Sequence, residues 1–309
     1  MKLLSHLENA NQLKKEGWKQ GGNFSGAQGT TTKWQKEKDG VKQTVYNKHN
    51  EAPIRSFPGT QFETTSKLTQ LLAELSARDI AEAINKAGKT YGYPVAIFPI
   101  PLDAQWSIDY LEKEKSLDIH FTSSAFNNGG TGWKLPEKKF TEDDTIVRRV
   151  WPINVLIGNA DDHRGNRIYN NKKKSFYSID FGLAFGNKYT KDKEGTLNDL
   201  TYTVEHMLQK AQTDKQKQRV KQKFADFYNF LELFLEHNEN YMINALEKNY
   251  KLIGKKIALA AKDVDEETEN NIMHTLGMLE KAKDEKQKVL RDSIKLMLEA
   301  CKRVQEIIK

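Results

Sequence analysis

Between residues 157 and 185 the chain carries three polar signatures whose joint spacing few folds can use. Ile157-Gly-Asn-Ala-Asp-Asp-His-Arg-Gly-Asn-Arg-Ile-Tyr169 is a polar loop reached from the apolar run Trp151–Ile157. It leads through Asn170-Asn171-Lys172 to Phe176–Ile179 and then to Asp180-Phe181-Gly182. Two short strand-type runs flanking a turn predict a hairpin, which would bring Asn166 and Asp180 side by side. Asp161 and Asn166 are five residues apart, and Asp180 follows the amide by fourteen. Phosphoryl transfer needs this set of groups. One carboxylate accepts or orients the proton of the acceptor hydroxyl, while an amide and a second carboxylate hold Mg²⁺ against nucleotide phosphates. Turn-forming carboxylates in a polar loop would explain each residue singly but not their coincidence.

That reading asks for phosphate-binding groups upstream. Gly21-Gly-Asn-Phe-Ser-Gly-Ala-Gln-Gly29 lies between strand-type runs, where glycines let backbone N–H groups approach phosphate oxygens. Gly22, Ser25, Gly26, Ala27 and Gln28 are the candidate nucleotide contacts in it. Thr30–Gln35 and Val41–Lys48, joined through Asp39-Gly40, predict a hairpin. Lys42 and Lys48 compete for the phosphate-binding role, and strand alternation puts both on one face. Lys48, which follows the apolar Val45-Tyr46, is favoured. Its acidic partner should come from the next helix, with Glu63 at the N-terminal edge preferred to Glu74 within it; Glu63 could equally be a solvated first-turn carboxylate.

The remaining pattern gives the organisation. Thr65 or Ser66 opens a helix carrying Leu68, Leu71, Leu72, Leu75, Ile80 and Ile84 and closing at Gly88. Tyr93–Leu102 reads as a buried strand kept short by its prolines. Asn127-Asn128-Gly129-Gly130 reads as a mobile loop. Thr141 with Asp144 resembles a capping box that opens a helix through Val147, Val150 and Trp151. From 197 onward the chain reads as helix, with two apolar stripes, Val220-Phe224-Phe227-Leu231-Phe234 and Leu290-Ile294-Met297-Cys301-Val304-Ile308. Such stripes usually signify helix packing within one protein. The expected class is α+β. Residues 1–104 form a small β-rich N-lobe, 105–196 a C-lobe with the catalytic loop, and 197–309 its helical remainder and extension, with a hinge near 99–105.

Asn23-Phe-Ser-Gly-Ala-Gln28 resembles the Gly-rich loop of HipA-type serine/threonine kinases, and Val155-Leu-Ile-Gly-Asn-Ala-Asp-Asp-His-Arg-Gly-Asn166 their catalytic loop. The resemblance covers about residues 20–185. It implies a bilobal protein-kinase-like fold, ATP as phosphoryl donor and Mg²⁺ as cofactor. It further implies Asp161 as catalytic base, Asn166 and Asp180 as metal ligands, Lys48 on the phosphates, and His163 bracing the loop or serving as the alternative base. Asn23 stands where the family often carries a regulatory serine, with Ser25 nearby. Ile179-Asp-Phe-Gly-Leu-Ala-Phe185 is more similar to the corresponding segment of phosphatidylinositol 3- and 4-kinases.

Composition narrows the rest. Lys and Arg total 49 against 42 Asp and Glu, a net charge of +7, but the two signs are interleaved, which argues against direct nucleic-acid binding. The single cysteine, Cys301, excludes a disulfide framework. The histidines show no HExxH or HxxxH pair, which argues against a histidine metal site. No apolar run approaches the roughly 20 residues of a membrane span, and residues 1–19 lack a signal-peptide pattern, so the expected compartment is the bacterial cytosol, or the host cytosol for a secreted effector. The leading expectation is a HipA-like toxin or effector kinase that phosphorylates a Ser or Thr hydroxyl of a protein, with an antitoxin or regulatory protein as partner. The alternatives are a phosphoinositide or small-molecule kinase and a nucleotide-binding pseudokinase scaffold.

Overall fold

The computed structural model describes residues 10–26, 29–38, 41–54, 60–93, 97–98, 100, 104–124, 128–131, 149–170 and 175–309. The chain divides into two compact units, the first made of Met1–Leu72, Pro101–Asn128 and Glu247–Lys283, the second of Ala73–Ile100, Gly129–Leu246 and Asp284–Lys309.

The first unit is built on a five-stranded antiparallel sheet in the order β1 (Lys19–Gly26), β2 (Gly29–Lys38), β3 (Val41–Pro53), β5 (Ser116–Ser124), β4 (Ala104–Leu111). The hairpin expected through Asp39-Gly40 forms, with Lys38 opposite Val41; the turn itself lies outside the described residues. The register of β1 on β2 slips between Gln20 and Gly22, so Gly21 supplies a bulge, for which a residue without a side chain is suited. Leu13 of helix α1 (Ala10–Lys15) packs with Trp18, Trp34 and Val45 into a small buried cluster. Pairing of β4 and β5 with the N-terminal strands carries this unit well past residue 104, the boundary and hinge expected from the sequence. That stretch was open to misreading because non-local pairing with β3 leaves no local signal.

Helix α2 (Thr60–Thr90) begins five residues before the expected Thr65. Thr65 is not a cap: its hydroxyl donates to Met278 Sδ, and the Thr64 hydroxyl donates to the Pro53 carbonyl at 2.6 Å. The apolar positions fall as the periodicity requires, with Leu68, Leu72, Ile80 and Ile84 fully buried.

The second unit is mainly helical. It holds a three-stranded sheet in the order β6 (Asn128–Thr131), β7 (Arg167–Asn170), β8 (Ser175–Ser178), with α3 (Trp151–Leu156), α4 (Lys188–Lys191), α5 (Lys193–Lys210) and the long helices α6 (Asp214–Ala260) and α7 (Glu266–Ile308), the last two of which give part of their length to the first unit. Asn128–Gly130, expected as loop, belongs to β6. The capping box at Thr141 and Asp144 lies outside the described residues. Both C-terminal stripes are internal: Phe224, Phe227, Leu231 and Phe234 on α6 and Leu290, Ile294, Met297, Cys301 and Val304 on α7 are buried. Gln305 ties the two helices by donating to Asn229 Oδ1 and Glu232 Oε2.

The segment expected as a strand at 93–102 is not one where it is described. Ile97 and Phe98 form a bend with fully buried side chains. The Asn85 side chain on α2 substitutes for a strand partner, accepting from Phe98 N at 2.8 Å and donating to Phe98 O at 2.9 Å. A primary amide offers one donor and one acceptor in the plane a peptide presents, which explains how Phe98 is held without a ladder. Asn85→Leu should leave both buried backbone groups unpaired and lower stability by about 2–4 kcal/mol, read as a reduced urea midpoint with an unchanged slope.

Candidate active site

Helix α3 delivers the polar loop. Pro152 to Leu156 are all buried, and the proline sits in the first turn, where its missing N–H is no loss. The helix ends at Gly158, whose φ is +57° and whose absent Cβ would lie 2.6 Å from the Gly186 carbonyl oxygen. Through that close approach Phe185 N–H donates to Ile157 O at 2.6 Å and Gly186 N–H to Gly158 O at 2.9 Å. The start of the loop and the segment that follows Asp180-Phe181-Gly182 are therefore joined backbone to backbone, which only glycine at 158 permits.

Within the loop, the Asn166 amide nitrogen donates to the Asp161 carbonyl at 3.0 Å and to its Oδ2 at 2.8 Å, and Asn159 Oδ1 accepts from Asp161 N at 3.3 Å. His163 is half-exposed. Its Nδ1 accepts from Gly165 N at 2.9 Å and its Nε2 stands 3.5 Å from Asp161 Oδ1, so the ring folds the loop beside the carboxylate. Asp162 locks the loop. Its side chain is 3% exposed and receives three hydrogen bonds from the Arg167 guanidinium at 2.7–2.9 Å.

Strands β7 and β8 pair from Arg167 opposite Ser178 to Asn170 opposite Ser175, and Ile179 N–H donates to Asn166 O at 3.0 Å, extending the pairing by one step. The hairpin thus sets Asn166 against Ile179, one residue from Asp180. Asp180 and Phe185 both have φ of +60°, so left-handed residues bracket the turn closed by Ala184 N–H to Phe181 O at 2.9 Å. Asp tolerates that conformation better than most residues; an aromatic there costs about 1–3 kcal/mol, and such strain gathers at functional sites.

Phe181 is fully buried, and its amide donates to Glu74 Oε2 at 2.5 Å. Glu74 itself is 8% exposed, with Oε1 accepting from Arg78 Nε at 3.1 Å. Glu63, preferred from sequence, is exposed and paired with Lys67 at 2.7 Å. The helix carboxylate tied to the Asp180 segment is therefore Glu74, which is buried, whereas Glu63 is exposed.

In the first unit, Gly22, Ser25 and Gly26 lie on β1, with Ser25 opposite Thr30 and Gly26 opposite Gly29; Ala27 and Gln28 fall outside the described residues. Lys48 is half-buried in mid-β3 between Thr31 of β2 and Phe121 of β5, whereas Lys42 stands near the hairpin turn opposite Glu37.

Lys286 was not foreseen. It is one lysine among many in a charged stretch of α7, yet its ammonium donates to Ala184 O at 2.7 Å and lies 6.0 Å from the Phe185 ring centre. Burial pushes its pKa down to about 8, against a slight upward pull from Glu285.

No protein-family model and no curated protein sequence matches this chain. Among solved structures, a proinflammatory kinase of Helicobacter pylori, CtkA, aligns with a TM-score of 0.31 and 12% identity over 89% of this chain and 96% of that one. A likeness that weak bears on neither family nor activity, and the functional reading rests on the loop geometry.

The lowered pKa of Lys286 has a measurable consequence. Because the unfolded chain holds this proton up to about 10.5, stability from this group should rise as pH climbs from about 8 toward 10.5 and be least below 8. Lys286→Met should remove that rise. The denaturant midpoint of wild type should rise relative to that of the variant with increasing pH across this window, and a constant difference would refute the assignment.

Proposed function

We propose that this protein is an ATP- and Mg²⁺-dependent phosphotransferase that acts on a Ser or Thr hydroxyl of a protein. The observation that carries the reading is the joint placement of Asp161, Asn166 and Asp180. The Asn166 amide is bonded to Asp161, while its carbonyl is paired with the residue preceding Asp180.

The donor set suits the metal. The Asn166 side-chain oxygen and the Asp180 carboxylate are hard oxygen ligands of the kind Mg²⁺ prefers, and the Asn166 nitrogen is already engaged by Asp161. When bound, Mg²⁺ would be held by these two oxygens and would supply positive charge to stabilise the transferring phosphoryl group. The chain's residues do the rest. Asp161 orients the acceptor hydroxyl and takes its proton, with Asn166 and His163 holding the carboxylate in place. The resemblance assigns Lys48 to the nucleotide phosphates, and the β1–β2 hairpin lies in the sequence region that resembles a phosphate-covering loop. Glu74 anchors the Asp180 segment through Phe181.

The resemblance of Asn23–Gln28 and Val155–Asn166 to HipA-type kinases supports a protein acceptor and a toxin or effector role with a regulatory protein partner. No helix among the described residues is long and apolar enough to cross a membrane. Radiolabelled ATP offered with a cell lysate and a panel of inositol lipids should label protein on Ser or Thr, and Asp161→Ala should reduce that labelling by about 10²–10⁴-fold while the protein stays folded. Near wild-type labelling by the variant would exclude Asp161 as the base, and labelled lipid without labelled protein would overturn the acceptor class.

A further inference from the structure

Strands β3 and β5 assemble a second cluster of chemistry that the phosphotransfer reading does not use. His49 and His120 are cross-strand partners with rings stacked 4.7 Å apart, and Asp118 precedes His120 by two residues on the same face. His49 Nε2 meets Asp118 Oδ1 at 2.5 Å, and His120 Nε2 meets Asp118 Oδ2 at 3.0 Å. One donor atom from each of the three side chains lies within 4.8 Å of the others. Successive strand residues face opposite sides, so this cluster lies on the face of the sheet away from Lys48.

We propose that His49, Asp118 and His120 form a binding site for a divalent transition-metal ion, with Zn²⁺ the best match to two imidazoles and one carboxylate. Two features beyond the convergence point to a cation. The first is a row of carboxylates. Asp118 is register partner to Glu51 on β3 and to Asp109 on β4, so three acidic side chains stand in line across the sheet. Like charges directly opposite in a sheet are destabilising, and Lys67 beside them already bonds Glu63 and the Glu51 carbonyl. A divalent ion at Asp118 would offset that repulsion.

The second feature is the orientation of His120, which is 6% exposed. Asn47 is fixed by donating its amide nitrogen to Thr122 Oγ1 at 2.7 Å, which turns its Oδ1 toward His120 Nδ1 at 3.2 Å. An oxygen acceptor there suits a proton on Nδ1, and in the neutral ring that leaves the Nε2 lone pair facing the Asp118 carboxylate. Either a proton or a metal ion must lie between the two, and a ligating histidine that donates its other nitrogen to a carbonyl is the usual arrangement behind a metal site. His49, with its side chain 41% exposed, gives the ion access from solvent and room for a water ligand.

The site is independent of the phosphotransfer reading, and its test requires no activity. Untagged full-length protein, treated with EDTA and exchanged into chelator-free buffer, is titrated with ZnCl₂ in a calorimeter, and native mass spectrometry counts the bound ions. One Zn²⁺ per chain should bind. His49→Gln and Asp118→Asn should each weaken it by at least the roughly 10–100-fold that loss of even a supporting partner costs. His237→Gln, a histidine bonded to the Leu233 carbonyl on α6, should bind as wild type does. Excess Mg²⁺ should not compete. His49 is half-exposed, so circular dichroism of His49→Gln should match wild type and exclude misfolding. Absence of stoichiometric binding, or binding unaltered in both His49→Gln and Asp118→Asn, would overturn the proposal.

Discussion

A buried carboxylate must be compensated, and in this protein the compensation of Glu74 organises the candidate site. One of its oxygens takes the Arg78 guanidinium a turn further along α2, and the other takes the main-chain N–H of Phe181. Removing two charges from water costs several kcal/mol, so neither partner can be dispensed with once Glu74 is inside. The Phe181 amide is thereby held at a helix, its ring is packed against Phe98 at 5.8 Å between centres, and the preceding residue, Asp180, is half-buried.

The other side of the Asp180 segment is held by the backbone. The bonds from Phe185 and Gly186 to Ile157 and Gly158 bind its far end to the loop that carries Asp161, and the Ile179 bond to Asn166 binds its near end to the same loop. The turn between them is short and strained at both ends, at Asp180 and Phe185. A segment restrained in this way holds its carboxylate in one place before any ligand arrives, and such preorganisation is what electrostatic catalysis requires. Lys286 completes the support from α7 by binding the Ala184 carbonyl.

Much of this was readable in the sequence where the signal is local. The β7–β8 hairpin follows from two short apolar runs around Asn170-Asn171-Lys172, the interior of α2 from its leucine and isoleucine spacing, and the two C-terminal stripes from their steps of three and four. Where the signal is tertiary, the reading failed. Glu63 and Glu74 are both helix glutamates, and only packing shows which is inside. Phe98 is bonded to an asparagine thirteen residues earlier rather than to a strand, and nothing in Tyr93–Leu102 announces that. Lys286 is indistinguishable in sequence from its neighbours. The histidines seemed scattered because His49 and His120 are seventy-one residues apart, and it is the β3–β5 register that makes them neighbours.

The central claim is that Asn166 and Asp180 together hold the nucleotide's metal ion. Crystals grown with a non-hydrolysable ATP analogue and Mn²⁺ in place of Mg²⁺ would locate that ion directly by its anomalous scattering. The account predicts a peak within coordination distance of the Asn166 side-chain oxygen and an Asp180 carboxylate oxygen, with nucleotide phosphate oxygens completing the shell. A nucleotide-associated peak remote from both residues would contradict it.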